Sequence, residues 1–416
     1  MSENTNKLST DPYKGVRDFY PEDQSAENYI FNVWRKTCES FGFVEYNASV
    51  LEPSELYKAK TGEEIVNEQT YSFIDRGGRE VTLRPEMTPT VARMIAGRKR
   101  ELSLPVRWYS IPNMFRYERP QRGRLREHFQ LNCDIFGLDN IYADIEIIRL
   151  GYQIMINFGA KESDFEVRIS NRKLLNKTLA DLGLTSEQSH DFQKLLDRKK
   201  KIDNFDEEAE RIVGKKINWK LEPDEEMQLL ISELKSAGVS NVKFDDTIVR
   251  GFDYYTGTVF EIYDTNPENS RALFGGGRYD ELLSLFGEDK VSAIGFGMGD
   301  VTAKDFLETR GILPAYINST KVYIGTFARD CIKDADMIAK ILRNKNINVV
   351  VDYTGKKIVD QIKKADKEKI NYFIAIGEEE MKTRTYNIKN LFTREENLCT
   401  LAEIEEFYER IFLTNN

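Results

Sequence analysis

Apolar residues recur at two different periods along this chain, and each period predicts a type of element. Between residues 24 and 41, Ile30, Val33, Trp34 and Cys38 recur at helical spacing, which predicts an amphipathic helix. The segment GFVEYNASVLEP reads as a strand, and VTLRPEMTPTVARMIAG reads as a strand followed by a helix that Thr88 could cap.

A hairpin is predicted further on, where large apolar and polar residues alternate. VRWYSIPNMFRYER has the period of a sheet strand, and HFQLNCDIFG resumes it. The residues between them form a basic loop that contains Pro120 and Gly123. Two strands joined by such a loop favour an antiparallel hairpin whose loop projects beyond the sheet.

The chain divides by its patterns into a large first domain, a module inserted in it and a smaller second domain. The predicted domains are residues 1–315 and 321–416, with a charge-dense, mostly helical module at about 175–243. In the second domain the runs KVYIGTF, INVVVDY and NYFIAIG are separated by helical patterns at 336–343 and 357–369. This alternation is typical of an α/β domain with a mixed or parallel sheet.

Composition narrows the class of protein. The chain has 416 residues, of which 40% are hydrophobic and 31% charged, and no apolar run approaches the roughly 18 residues of a membrane span. The first residues lack the apolar centre of a signal peptide. Four cysteines lie far apart without CxxC spacing, which argues against a zinc site or disulfides and favours a reducing cytoplasm. Two histidines exclude a histidine-rich metal centre.

An arginine stretch contrasts with the net charge of −9. FRYERPQRGRLREHFQ carries five arginines, either as a solvated loop or as a site for a polyanion. Arg116 lies between Phe115 and Tyr117 in a predicted strand, where a charge needs a partner. Glu118, two residues on, could be that partner or could accept a hydrogen bond from a ligand's amino group.

Three further segments are candidates for binding. Arg250, before a glycine in IVRGFDYYTGTVFEI, could face a ligand or pair internally with Asp253 or Glu261. The glycines of LFGGGRYD and GFGMGD permit backbone contact with a ligand, but they match no phosphate-loop pattern and tight strand packing explains them equally well. In RPEMT, Glu86 and Thr88 could bind an ammonium group, with a helix cap as the alternative.

Together these segments resemble one family, the histidyl-tRNA synthetases. NMFRYERPQRGRLREHFQ resembles motif 2 of class II aminoacyl-tRNA synthetases, and VRGFDYYTGTVFE and GGGRYDELL resemble the two histidyl signature segments. LRPEMTPTVAR resembles the family's RPE-x-T segment, KGVRDFYPED its opening, and DYTGKKIVDQIKKADKEKINYFIAIGEEE its anticodon-binding domain. The resemblance covers nearly the whole chain in family order.

The resemblance implies an α+β catalytic domain, with an antiparallel sheet, flanking helices and a helical insertion, followed by a small α/β anticodon-binding domain. It implies a cytoplasmic homodimer that activates L-histidine with ATP and transfers it to the 3′ end of tRNA(His). Magnesium would enter with ATP, bridging its outer phosphates, and no metal site of the protein's own is implied.

The resemblance also implies roles for individual residues. The residues that would bind histidine are Glu86, Thr88, Gln130, Asp134, Tyr255 and Tyr279. Those that would bind ATP are Arg116, Glu118, Arg124 and Arg250. Arg116 and Arg250 would also be catalytic, since both would contact the α-phosphate.

Two departures from the family pattern bear on function. Motif 1 has Ser49 where the family has a proline, which puts the dimer contact in question. Motif 3 has Thr302 where an arginine contacts ATP, and Lys304 or Arg122 could substitute. An inactive, histidine-sensing regulatory subunit is therefore the alternative, although such relatives usually drop the anticodon-binding domain. A pure RNA-binding module would leave Glu86 and Asp134 without a purpose.

Overall fold

The structure is a computed structural model, and it divides into two compact units between Pro314 and Ala315. It describes residues 8–58, 69–199, 202–217, 219–249, 254–269 and 271–412. Arg250 and Asp253 therefore lie outside the described residues.

A large, mostly antiparallel sheet forms the centre of the first unit. Its strands are β1 (Val44–Glu45), β5 (Val106–Ser110), β6 (Asn113–Phe115), β7 (Glu127–Phe136), β8 (Phe165–Asn171), β9 (Val242–Phe244), β10 (Thr258–Asp264), β11 (Ala272–Arg278) and β12 (Ala293–Gly299). The order is β1-β5-β7-β12-β11-β10-β8-β9, and β6 pairs with β7. The predicted hairpin is therefore present, with β6 ending at Phe115, before the arginine loop.

Helices cover one face of this sheet and form the main hydrophobic core with it. They are α1 (Pro21–Ser40), α4 (Ile141–Asn157), α8 (Glu225–Ser236) and α9 (Asp300–Thr309). Ile30, Trp34 and Cys38 of α1 are fully buried, as the helical spacing predicts. Because these helices occupy one face, the other face of the central strands is left for a site.

The stretch of chain between β1 and β5 forms a smaller antiparallel sheet and two helices. The strands are β2 (Leu51–Pro53), β3 (Tyr71–Ile74) and β4 (Glu80–Leu83), and the helices are α2 (Glu55–Lys58) and α3 (Thr88–Arg98). The prediction that Thr88 caps α3 was wrong. Thr88 is the first helical residue, and its predecessor Met87 makes no side-chain capping bond.

The region of the predicted insertion is mostly helical. Its helices are α5 (Arg172–Asp181), α6 (Ser186–Arg198) and α7 (Phe205–Val213), followed by α8 and the short strand β9. Side-chain oxygens of Asn171 and Thr185 accept backbone N–H groups at the starts of α5 and α6, which fixes where these helices begin. Phe192 and Leu196 belong to a separate small core.

The second unit is an α/β domain with a mixed sheet. Its strands are β13 (Val322–Thr326), β14 (Val349–Val351), β15 (Tyr372–Ile376), β16 (Thr385–Asn390) and β17 (Glu396–Thr400). Its helices are α10 (Ile332–Asn344), α11 (Ile358–Lys367), α12 (Glu378–Thr383) and α13 (Leu401–Phe412). The order is β14-β13-β15-β16-β17, parallel in the first three strands and antiparallel after them.

The three apolar runs identified in the sequence are the parallel strands. Across the residues that the structure describes, none of the helices combines the length and apolar character that a membrane span requires.

Candidate active site

A cavity of about 270 Å³ lies against the central strands β7, β11 and β12. It is lined by the nine predicted site residues that the structure describes: Glu86, Thr88, Arg116, Glu118, Arg124, Gln130, Asp134, Tyr255 and Tyr279. Their sequence positions span almost 200 residues, so the fold alone brings them together. Arg250, the tenth, has no described position.

Glycines of β12 make the cavity deep enough for side chains from β7. Gly295 pairs with Asp134 and Gly297 with Asn132 across the antiparallel ladder. A Cβ atom on Gly295 would lie 2.2 Å from Asp134 Oδ1, and one on Gly297 would lie 2.5 Å from Gln130 Nε2. The glycines of GFGMGD thus admit two candidate ligand-binding side chains.

Asp134 is a buried acid in the lining of the cavity, with 3% of its surface exposed. The hydroxyl of Tyr279 donates to Asp134 Oδ1, while Oδ2 has no hydrogen-bond partner among the described residues. Burial raises the pKa of Asp134 to about 7, although the bond from Tyr279 opposes the rise. A buried acceptor of this kind is suited to a ligand N–H group.

Glu86 is a second buried acid, also held by a tyrosine. The hydroxyl of Tyr254 lies 3.0 Å from Glu86 Oε2 and 3.5 Å from Thr88 Oγ1. Tyr254 was not among the predicted site residues, although it lines the cavity and precedes Tyr255 in the sequence. Two tyrosine–carboxylate pairs therefore face the same space.

Arg116 does not pair with Glu118, contrary to the first of the two options that the sequence suggested. Arg116 Nε donates to the carbonyl oxygen of Pro85 at 2.8 Å, and Glu118 instead accepts from Arg124 Nη1 at 3.1 Å. The reason is geometric, since the strand ends at Phe115 and Glu118 lies in the loop. Arg116 and Arg124 both line the cavity, so two guanidinium groups face it.

Arg126 has a structural position at the base of the loop. Its Nε donates to the carbonyl of Glu118 at 3.2 Å, its Nη1 to the hydroxyl of Tyr13 at 3.1 Å, and its backbone N–H to the carbonyl of Gly15 at 2.7 Å. Its guanidinium also lies 3.9 Å from the centre of the Tyr117 ring. The N-terminal segment is thereby fastened to the arginine loop.

The two residues considered as substitutes for the missing motif 3 arginine point elsewhere. Arg122 Nε bonds Asp305 at 2.9 Å on α9, and Lys304 Nζ bonds Asp23 at 3.1 Å on α1. Neither belongs to the described lining of the cavity. Thr302 does line it, with its hydroxyl 2.8 Å from the carbonyl oxygen of Leu273.

A buried ion cluster beside the cavity was not predicted from the sequence. Arg17 forms an ion pair with Asp300, and its Nη1 lies 3.6 Å from Glu27 Oε1. Asp300 Oδ1 also accepts the Phe129 N–H at 2.9 Å, at the residue before Gln130. Burial, followed by the charge of Asp300, raises the pKa of Glu27 to about 8, and burial also raises the pKa of Asp300.

His128 is a further lining residue that the sequence reasoning passed over, although it lies within the arginine stretch. Burial and the charges of Arg116 and Arg17 lower its pKa to about 3. The imidazole is therefore neutral at physiological pH and adds no charge to the cavity.

The cavity thus combines two kinds of surface. Buried carboxylates held by tyrosines suit ammonium and ring N–H groups, and two arginines suit phosphate. A larger cavity of about 1330 Å³ shares Gly123, Arg124, Ala272, Leu273 and Thr302 with it. The site can therefore receive a compact cationic ligand together with an extended anionic one.

Comparison with protein families agrees with this chemistry. The model described as "Histidyl-tRNA synthetase" matches residues 15–211 and 207–300, and the model "Anticodon binding domain" matches residues 318–411.

Individual relatives match over nearly their whole length. Histidine–tRNA ligase from Leptospira biflexa is 42% identical over 95% of this chain and 97% of its own. The ligase from Thermoplasma volcanium is 37% identical over 95% and 98%. The crystal structure of histidyl-tRNA synthetase from Nostoc sp. PCC 7120, 22% identical, covers 97% of this chain and 99% of its own with a TM-score of 0.78 and supports the fold.

Proposed function

Because the chain belongs to the histidyl-tRNA synthetase family, we propose that it activates L-histidine with ATP and transfers it to the 3′ end of tRNA(His). It is an aminoacyl-tRNA ligase, and the products of its two steps are diphosphate and AMP. The observation that carries the proposal is that Glu86, Asp134, Arg116 and Arg124 all line one cavity.

Histidine would be recognised at both ends. Glu86 and Thr88, with Gln130 beside them, would bind its ammonium group, and Asp134 and Tyr255 would bind the two imidazole nitrogens. Tyr279 supports this role of Asp134 because it already holds one carboxylate oxygen. A carboxylate and a phenol suit an imidazole, in which one nitrogen donates while the other accepts or is charged.

ATP would lie toward the arginines. Arg116 and Arg250 would contact the α-phosphate, Arg124 the outer phosphates and Glu118 the adenine amino group. The ion pair between Arg124 and Glu118 would have to open when ATP binds, since both groups face each other in this structure. Magnesium would enter with ATP and would neutralise part of the charge of its phosphates.

The reaction needs positioning and charge neutralisation rather than a base. The histidine carboxylate is already ionised at neutral pH, so its oxygen attacks the α-phosphorus while the bond from that phosphorus to the bridging oxygen of diphosphate breaks. Guanidinium groups neutralise the charge that gathers on the phosphate oxygens in the transition state. The adenylate then passes its acyl group to a hydroxyl at the tRNA 3′ end.

Two binding partners are proposed, a tRNA from the second unit and a second copy of the chain from motif 1. The anticodon-binding match at residues 318–411 favours a tRNA partner and disfavours the regulatory alternative. A homodimer is supported by the exposed apolar residues Val44, Leu51, Phe73 and Ile74, which lie on or near the motif 1 strands. We place the protein in the cytoplasm, where the thiols of its four cysteines would stay reduced.

Histidine-dependent exchange of diphosphate into ATP tests the proposal. The full chain should catalyse this exchange with L-histidine and not with the other amino acids, and it should charge tRNA(His). Histidine binding without exchange would support the regulatory alternative and contradict the ligase function.

A further inference from the structure

We propose that the N-terminal segment, residues 13–17, positions the arginine loop for ATP through Arg126. The arginine loop is residues 116–126, between β6 and β7. This inference rests on the proposed function, and it gives roles to Gly15 and Arg126 that the family resemblance did not supply. Both are positioning residues, because neither belongs to the described lining of the two cavities.

Arg126 joins the two sides of the arginine loop. Its carbonyl oxygen accepts the backbone N–H of Arg116 at 2.9 Å, and its Nε donates to the carbonyl oxygen of Glu118 at 3.2 Å. The side chains of Arg116 and Glu118 line the cavity, and they are the proposed contacts of the α-phosphate and the adenine amino group. The place of Arg126 therefore sets where two ATP-binding side chains leave the backbone.

The N-terminal segment holds Arg126 in turn. The carbonyl oxygen of Gly15 accepts its backbone N–H at 2.7 Å, and the hydroxyl of Tyr13 and the carbonyl oxygen of Lys14 accept from its Nη1 at 3.1 and 3.4 Å. Its guanidinium carbon lies 3.9 Å from the centre of the Tyr117 ring and 5.6 Å from that of Tyr13. Because Arg126 is only 9% exposed, these contacts rather than water fix its orientation.

Gly15 allows the segment to lie close against the loop. Its φ is +89°, a conformation that glycine adopts far more readily than other residues. A Cβ atom there would lie 2.8 Å from both Cγ and Cδ of Arg126 and 2.9 Å from Pro120 Cγ, closer than van der Waals contact allows. Gly15→Ala would therefore displace Arg126 from the segment.

The segment is also attached at its other end. Arg17 forms an ion pair with Asp300, and Asp300 Oδ1 accepts the Phe129 N–H at 2.9 Å. The two attachments reach the chain on either side of Glu127, where β7 begins. Because the attachment at Arg17 remains, a change at Gly15 would act on the loop rather than release the whole segment.

Four variants, compared in diphosphate exchange, test this series of contacts. Gly15→Ala adds the methyl group that collides with Arg126. Gly42→Ala is its matched control, because Gly42 has a similar φ of +77° but nothing within 4 Å of an added Cβ. Arg126→Lys keeps the charge and the backbone N–H but loses the planar fork of donors. The fourth variant combines Gly15→Ala with Arg126→Lys.

We expect Gly15→Ala and Arg126→Lys each to lower kcat/KM for ATP by roughly 10- to 10²-fold, since misplacing a positioned group by ~1 Å can cost that much. The Kd of L-histidine, measured by calorimetry without ATP, should stay close to that of the wild type in both. The double variant should be no worse than the poorer single variant, because both changes break the same connection. Gly42→Ala should match the wild type in both measurements.

A wild-type kcat/KM for ATP in Gly15→Ala, an equal loss in Gly42→Ala, or losses that combine fully in the double variant would overturn the inference and leave the ligase function intact. A parallel loss of histidine affinity in Gly15→Ala would show a general disturbance of the first unit and would overturn the inference as well. A wild-type chain without histidine-dependent exchange would overturn both the inference and the ligase function.

Discussion

The two ends of the cavity are built differently. At the amino-acid end, Glu86 and Asp134 are almost fully buried, and each accepts a bond from a buried tyrosine. At the proposed phosphate end, the side chain of Arg124 is 51% exposed and pairs with the carboxylate of Glu118. Under the proposed function, selectivity for the amino acid would depend on these carboxylates, which are already oriented before a ligand binds. A ligand that left them unpaired would bind weakly, because buried polar groups without partners are costly.

The phosphate end depends instead on exchange of partners. Under the proposed function Arg124 would exchange Glu118 for phosphate, and an ion pair of this kind, with a half-exposed arginine, contributes only about 0.2–1 kcal/mol to stability. The free energy needed to open the pair is therefore small. Under the proposed function, the buried carboxylates would select the amino acid, and the more exposed arginine would adjust to the charged nucleotide.

The largest expected effect comes from the ion cluster of Arg17, Glu27 and Asp300 beside the cavity. Arg17→Met should lower the free energy of unfolding by about 3–5 kcal/mol, because it leaves Asp300 buried and unpaired. The double variant Arg17→Met with Asp300→Asn should recover much of that loss, since asparagine still accepts the Phe129 N–H. Denaturation with urea measures both, and a double variant as unstable as the single one would contradict this account.

The next effect concerns catalysis at the phosphate end. Arg116→Ala and Arg250→Ala should each lower diphosphate exchange by on the order of 10² or more, the usual loss when one preorganised donor to a developing charge is removed. Arg119→Ala, an exposed arginine of the same loop, is the matched control and should stay close to wild type. Near-normal exchange in Arg250→Ala would remove that residue from the mechanism.

A smaller effect is expected on the pKa of Asp134. The bond from Tyr279 lowers this pKa, so Tyr279→Phe should raise it from about 7 by ~1 unit. Carboxyl titration by NMR measures the shift, with Asp134→Asn identifying the signal. An unchanged pKa would show that the hydroxyl does not stabilise the carboxylate.

The raised pKa of Asp134 also determines how the free energy of unfolding changes with pH. The ordinary aspartate pKa is 3.8 and the folded value is about 7. The stability that Asp134 contributes is therefore complete below pH 3.8 and is lost as the pH rises through 7. Asp134→Asn should flatten the dependence of the unfolding free energy on pH in this window.

The smallest expected effect concerns Arg122 and Lys304, the two candidates to replace the arginine that motif 3 lacks. Arg122→Ala and Lys304→Ala should each change diphosphate exchange by less than about threefold, because neither side chain lines the 270 Å³ cavity and each is already held in an ion pair. A loss near 10² in either variant would show that this side chain moves to ATP when it binds.

Local patterns sufficed for much of the fold. The alternation in VRWYS and HFQLNCDIFG predicted strands β5 and β7, and the apolar runs of the second unit predicted β13 to β15, because such patterns can be recognised within a few consecutive residues. The expected partner of Arg116 was wrong for a related reason. Sequence spacing could not show that the strand ends at Phe115, so that Glu118 meets Arg124 instead.

Site residues that lie in recognisable family segments were predicted from the resemblance. Contacts between residues that are far apart in the sequence were missed. Asp134 and Tyr279 came from recognisable segments, but the bond from Tyr254 to Glu86 joins residues 168 positions apart, and that from Arg17 to Asp300 spans 283. No local pattern of charge or hydrophobicity encodes such pairs. For His128 a signal existed, since it lies inside the arginine stretch, yet its neutral state follows only from its burial and from two guanidinium neighbours.

Strand β7 lies between the hydrophobic core and the cavity, and consecutive residues of this strand face opposite sides. Cys133 turns inward, where its sulfur lies 3.4 Å from that of Cys38 on α1, and the next residue, Asp134, turns toward the cavity. A substitution that changes the packing of α1 against β7 would therefore displace Asp134, the acid that we propose binds the imidazole. Changes of amino-acid specificity can therefore be sought at core positions of α1 and β7 that do not line the cavity.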